Sequence, residues 1–139
     1  MNRSETNMNQ NANDISRISQ GTCIRGEMRS SSDLRIDGAV DGVLCSEGRI
    51  VAGEDSRLSG KILCTNADIW GKVRGDLYVK DLLTLKSTSE IEGNLYVRRI
   101  QVELGVRING SIKMITEQEF EQQYSALSVR DVPGPAEQA

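Results

Sequence analysis

The chain repeats itself. Six times it reads apolar, any residue, Gly, any residue, apolar. The copies are Ile24-Arg25-Gly26-Glu27-Met28, Val40-Asp41-Gly42-Val43-Leu44, Leu58-Ser59-Gly60-Lys61-Ile62, Val73-Arg74-Gly75-Asp76-Leu77, Ile91-Glu92-Gly93-Asn94-Leu95 and Ile108-Asn109-Gly110-Ser111-Ile112. Successive glycines lie 16, 18, 15, 18 and 17 residues apart. All twelve flanking positions are aliphatic or Met in a chain that is only 37% apolar, so chance does not account for the pattern. A repeat this short cannot bury its own apolar residues and must stack on its neighbours to do so.

Upstream of most of these glycines is a short stretch alternating at period two, which is the strand signal. It reads Leu34-Arg35-Ile36, Ile50-Val51-Ala52, Ala67-Asp68-Ile69, Leu83-Thr84-Leu85 and Ile100-Gln101-Val102. Three- or five-residue links such as Asp37-Gly38-Ala39 and Lys86 to Glu90 join it to the glycine motif, and they carry the residue types of corners. No unit has room for a helix. Short strands and tight corners at a period near 17 make one turn of a β-solenoid, and six turns stacked at β-sheet spacing span about 29 Å. Gly26, Gly42, Gly60, Gly75, Gly93 and Gly110 are expected where the backbone needs a positive φ or a corner is too crowded for a Cβ.

Several chemistries are excluded. The chain has no His, which removes His bases, His triads and His metal sites. No glycine-rich loop leads into a helix, so phosphate and dinucleotide fingerprints do not fit, and no cofactor is expected. A net charge of −3 argues against nucleic acid as a partner. Cys23, Cys45 and Cys64 are odd in number and form no CxxC pair, against a disulfide framework or zinc finger and for a reducing compartment. Cys45 and Cys64 read as small residues stacked in the core and Arg98-Arg99 as a solvated corner, while Trp70, before Gly71 at a corner, is either a surface contact for a partner or a shield over that corner. Asp37 and Asp41 resemble a carboxylate pair, but their spacing does not bring them together. With no run of about 18 apolar residues and no signal peptide, the expected location is the cytoplasm.

The three expected regions are a disordered N-terminal arm over 1–20, a β-helix domain over 21–115 and a C-terminal arm over 116–139. In the last, Thr116 is placed to cap a short helix with Glu117 and Glu119 in its first turn. Phe120, Tyr124 and Leu127 give that helix one apolar stripe, expected to fold back on the last turn. Val132-Pro133-Gly134-Pro135 would end it, leaving a disordered tail.

The openings Ile18-Ser19-Gln20-Gly21-Thr22-Cys23-Ile24-Arg25-Gly26 and Leu34-Arg35-Ile36-Asp37-Gly38-Ala39-Val40-Asp41-Gly42 resemble the bactofilins, the polymer-forming bacterial cytoskeletal proteins. So does the close at Gly105-Val106-Arg107-Ile108-Asn109-Gly110-Ser111-Ile112-Lys113-Met114. The resemblance spans residues 18 to about 115. It implies a right-handed β-helix of about six triangular windings. It also implies nucleotide-independent assembly end to end into filaments, association with the inner face of the cell membrane, and a scaffold role in cell shape or in placing cell-wall-modifying enzymes.

A solenoid has two open ends, each with unpaired backbone groups and the end of the apolar column, and monomeric solenoids cover them with polar caps. No long cap is evident here. The expected homopolymer contacts are Ile24 and Met28 at the N-terminal end, and Ile108, Ile112 and Met114 at the C-terminal end. Two alternatives stand beside a non-enzymatic scaffold. A left-handed β-helix acyltransferase needs a strict six-residue period and usually a His base, and this chain has neither. A monomeric binding module recruiting a wall enzyme or membrane protein through its arms would stay near 15 kDa in solution.

Overall fold

The structure is a computed structural model that describes the backbone of residues 16–131 and the side chains of residues 16–126. Nine strands follow one another: β1 (Ser16–Ile18), β2 (Cys23–Ser30), β3 (Leu34–Ile36), β4 (Ala39–Ser46), β5 (Arg49–Ala52), β6 (Arg57–Ile69), β7 (Lys72–Leu85), β8 (Glu90–Val102) and β9 (Arg107–Met114). A helix, α1 (Glu117–Asp131), follows. Every strand pairing is parallel.

The pairings form two ladders running the length of a rod. One joins β1, β3, β5 and the C-terminal parts of β6, β7 and β8. The other joins β2, β4, the N-terminal parts of β6, β7 and β8, and β9. One rung of each makes a winding, so the rod has six: residues 16–30, 34–46, 49–64, 66–79, 82–97 and 99–114. All six repeat glycines stand in a single register.

The glycine requirement is clearest at Gly75. Its φ is +126°, and a Cβ there would strike the carbonyl oxygen of Gly60 on the winding before. Both expected reasons for glycine therefore act at one position. The kink splits the strand into two short faces, and the alternating stretch supplies the third.

Inward positions form one column of Leu, Ile, Val and Ala, with Cys64 and with no aromatic ring. Burial of this column holds the windings together, each fully buried aliphatic side chain contributing about 1.5–3 kcal/mol before chain entropy is counted. The five-residue corners close around buried hydroxyls. Ser56 donates to the Gly53 carbonyl and Ser89 to the Lys86 carbonyl, both at 2.7 Å, so neither polar group is stranded.

The structure departs from the sequence expectations in three places. First, Ser16-Arg17-Ile18 pairs with Leu34-Arg35-Ile36 as a strand, so the expected arm over 1–20 gives up these residues to the first winding. The rest of that arm, residues 1–15, lies outside the described residues. Second, Cys45 and Cys64 face opposite ways: Cys64 sits in the inner column, and Cys45 packs outside the rod with Leu63 and Phe120. Third, α1 does not fold onto the last turn. It turns back along the rod's flank, with Glu117 near Arg98 and Lys80, Glu121 on Lys80, and the Tyr124 hydroxyl donating to Glu47 beside the second winding.

The helix start follows the expected chemistry. The Thr116 hydroxyl accepts from the Glu119 amide at 3.1 Å, and the Glu119 carboxylate accepts from the Thr116 amide at 2.8 Å. This is a reciprocal capping box. Phe120 is buried, and Tyr124 stacks on it with ring centroids 6.0 Å apart. The side chain of Leu127 and the expected tail over 132–139 lie outside the described residues.

Candidate assembly interface

Four large apolar side chains are exposed among the described residues, and all four belong to the last winding: Val102 (47%), Leu104 (94%), Ile112 (43%) and Met114 (58%). Ile100, Val106 and Ile108 lie beside them, half-buried against the column. In the middle windings the positions matching Val102, Ile112 and Met114, such as Leu85, Leu95 and Val97, are buried under the next turn, whereas the corner positions matching Leu104, Glu54 and Ser87, are exposed. Among the described residues no turn follows, so there the column ends in solvent and β9 has a strand partner on one side only. One edge of unpaired backbone N–H and C=O groups surrounds the apolar patch.

The N-terminal end is less bare. Ile18 is buried, and Ile24 and Met28 are half-buried against the column. Gly26 is distinctive. It has the positive φ of the other repeat glycines, at +119°, yet a Cβ on it would meet nothing within 4 Å. On every later winding that direction points into the preceding turn, so at Gly26 it points out of the end of the rod. Of the residues expected at the ends, Ile112 and Met114 are exposed, whereas Ile24, Met28 and Ile108 are half-buried.

Val102 and Leu104 escaped the sequence reading, although both carry a signal. Val102 belongs to the last copy of the alternating stretch, which has no later copy to cover it. In the last corner, Glu103-Leu104-Gly105-Val106-Arg107, Leu104 and Val106 occupy positions that are Glu54 and Ser56, or Ser87 and Ser89, in earlier corners. An apolar substitution of a polar corner marks a surface that expects cover.

The remaining candidates find ordinary surroundings. Asp37 accepts two hydrogen bonds from Arg35, at 3.0 and 3.1 Å, and forms an ion pair with it. Trp70 lies under the Lys86 ammonium, 5.4 Å from the ring centroid. Arg99 pairs with Asp81 at 2.8 Å and Arg98 with Glu117 at 3.8 Å. Burial pushes the Cys64 thiol far above its ordinary value, so it stays protonated in the core. Among the described residues no cluster of three metal-ligating side chains exists, and no helix is long and apolar enough to cross a membrane.

Comparison with known proteins agrees with this architecture. A curated relative, bactofilin BacO of Myxococcus xanthus (strain DK1622), is 26% identical over 97 residues, covering 70% of this chain and 77% of the relative. A bactofilin of Thermus thermophilus, reconstructed by cryo-electron microscopy as double helical filaments, superposes with a TM-score of 0.69 at 27% identity. The match covers 72% of this chain and 99% of that one. A family model described as bactofilin, polymer-forming cytoskeletal, matches residues 16–113, the six windings almost to the residue. The chain therefore belongs to the bactofilin family of polymer-forming cytoskeletal proteins.

Proposed function

We propose that this chain is a cytoplasmic scaffold that assembles end to end into filaments without nucleotide. The observation that carries the reading is the last winding, which gathers the four large apolar side chains exposed among the described residues around an unpaired strand edge. A second copy meeting this end covers Val102, Leu104, Ile112 and Met114 and continues the column. Contacts made by like ends are two-fold, and alternating two of them gives an open filament without polarity. The filament-forming Thermus relative supports the same reading. The filament supports cell shape or positions wall-modifying enzymes at the inner face of the membrane, with the arms as attachment points. The non-enzymatic reading is supported by the cytoskeletal family to which the chain belongs and by an interior built of aliphatic side chains.

Negative-stain electron microscopy of the purified protein, with no nucleotide or metal added, tests this directly. Thin filaments are the expected result. Single small particles that persist at high concentration and across salt conditions contradict it and favour a monomeric binding module.

A further inference from the structure

The described residues hold two methionines, Met28 and Met114, and they stand at opposite ends of the rod. Met28 lies on the first winding. Its register partners on the windings that follow are Leu44, Ile62, Leu77, Leu95 and Ile112. Met114 lies on the last winding, and its register partners on earlier windings are Val97, Val79 and Cys64. All of the partners on the middle windings are buried. Among the described residues, an inner position therefore carries a thioether only where the rod ends.

The two ends differ in access. Met28 is half-buried against the column, whereas Met114 is 58% exposed. Met114 stands with Val102, Leu104 and Ile112, the other exposed apolar side chains of the last winding. A thioether fits an irregular apolar contact well, because it is unbranched and adaptable. It is also the one side chain of that patch open to mild oxidation, which turns it into a polar sulfoxide. On the free chain the added oxygen faces water. Under a second copy it loses that water, and Val102, Leu104 and Ile112 have no side-chain donor to replace it.

We propose that Met114 is a modification site for hydrogen peroxide, and that its sulfoxide blocks this end of the rod from taking on a second copy. The blocking half rests on the filament reading. In the reaction the sulfur attacks one peroxide oxygen, the O–O bond breaks, an S–O bond forms and water leaves. The thioether is oxidised by two electrons and the peroxide is reduced by two. A closed contact covers Met114, so the oxidant acts on free chains and on bare filament ends.

Peroxide treatment of the full-length protein, quenched at intervals and read by peptide mass spectrometry as the gain of one oxygen, tests the site. At concentrations too low for assembly, Met114 is expected to oxidise faster than Met28. Equal rates, or a slower Met114, overturn the site.

Sedimentation velocity then tests the block. Dithiothreitol added after the quench returns disulfides made by the exposed Cys23 to thiols and leaves the sulfoxide in place. The oxidised protein should need on the order of 10-fold more chain to assemble. Met114→Leu keeps the apolar contact and removes the sulfur, so it should assemble as the unmodified protein does and go on assembling after peroxide. Met114→Gln sets a permanent polar group at the site and should assemble as poorly as the oxidised protein, with circular dichroism confirming unchanged strand content. A Met114→Leu protein that loses assembly to peroxide as fully as the unmodified one overturns the block, and so does an oxidised chain that assembles unhindered. If the unmodified protein forms no large species at any concentration, the end-to-end reading and the block fail together, while the two oxidation rates still decide the site.

Discussion

Leu77 and Ile112 hold the same place in the repeat, two residues after the glycine, and are linked in register through Leu95. Leu77 is fully buried on the fourth winding, and Ile112 is 43% exposed on the sixth. The two side chains are nearly equal in size and hydrophobicity, so their own chemistry does not explain the difference. A middle winding has a neighbour on each side, and a terminal winding has one. Each winding is built to be covered by a copy of itself, and among the described residues the repeat gives way to α1 before the last one is. Gly75 and Gly26 repeat the lesson. Both have positive φ, but only Gly75 has backbone of another winding packed where its Cβ would go.

Substitutions in matched pairs test this comparison. Gly75→Ala combines backbone strain with a collision into Gly60 and should cost at least about 3 kcal/mol. Gly26→Ala carries the strain without the collision and should cost the monomer about 1–2 kcal/mol. Denaturant unfolding of the two variants gives the ranking, and equal losses would show that the terminal winding is no more open than the fourth. A smaller contrast is expected for side-chain truncation. Leu77→Ala leaves a cavity inside the column and should destabilise the fold by about 2–5 kcal/mol. Met114→Ala should change monomer stability by less than about 1 kcal/mol while raising the concentration needed for assembly.

The smallest effects belong to the flank. Thr116→Ala removes the helix cap and should loosen α1 by about 1 kcal/mol without touching the windings. The pH response has a defined sign. Hydrogen bonding from the Thr116 amide holds the Glu119 carboxyl below its ordinary 4.5, with the Thr116 hydroxyl and Lys113 adding to the effect. Its contribution is therefore present above pH 4.5 and is lost as pH falls through the lowered value. The hydrogen bond to Glu121 raises the Lys80 ammonium above its ordinary 10.5, so that contribution is present below 10.5 and lost only at higher pH. The helical far-ultraviolet signal should stay flat between these limits and fall below pH 4.5 before the strand signal does. Simultaneous loss of both signals would show that helix and rod are not separable.

Much of the rod was legible in the sequence, because its contacts are periodic. A glycine needed once per winding appears as a spacing, and alternating stretches such as Leu83-Thr84-Leu85 state which residues face inward. What stayed hidden lacks a period. In Ile62-Leu63-Cys64 three apolar residues run together, and alternation cannot tell that Leu63 faces out while its neighbours face in. The path of α1 depends on contacts between residues as distant in sequence as Glu47 and Tyr124, and no local pattern encodes them. The first strand was missed because Ser16-Arg17-Ile18 offers only one apolar residue, and pairing with β3 decides the matter.

The central claim is that the bare last winding drives assembly, and Ile112→Arg tests it most directly. The side chain is already partly in solvent, so an arginine there should be tolerated by the fold. Sedimentation velocity of the unmodified protein and the variant, with circular dichroism to confirm unchanged strand content, decides the question. The account predicts large species for the unmodified chain and small ones, near the 15.3 kDa of one chain or its dimer, for the variant. A folded Ile112→Arg protein that still sediments as a large polymer would contradict it.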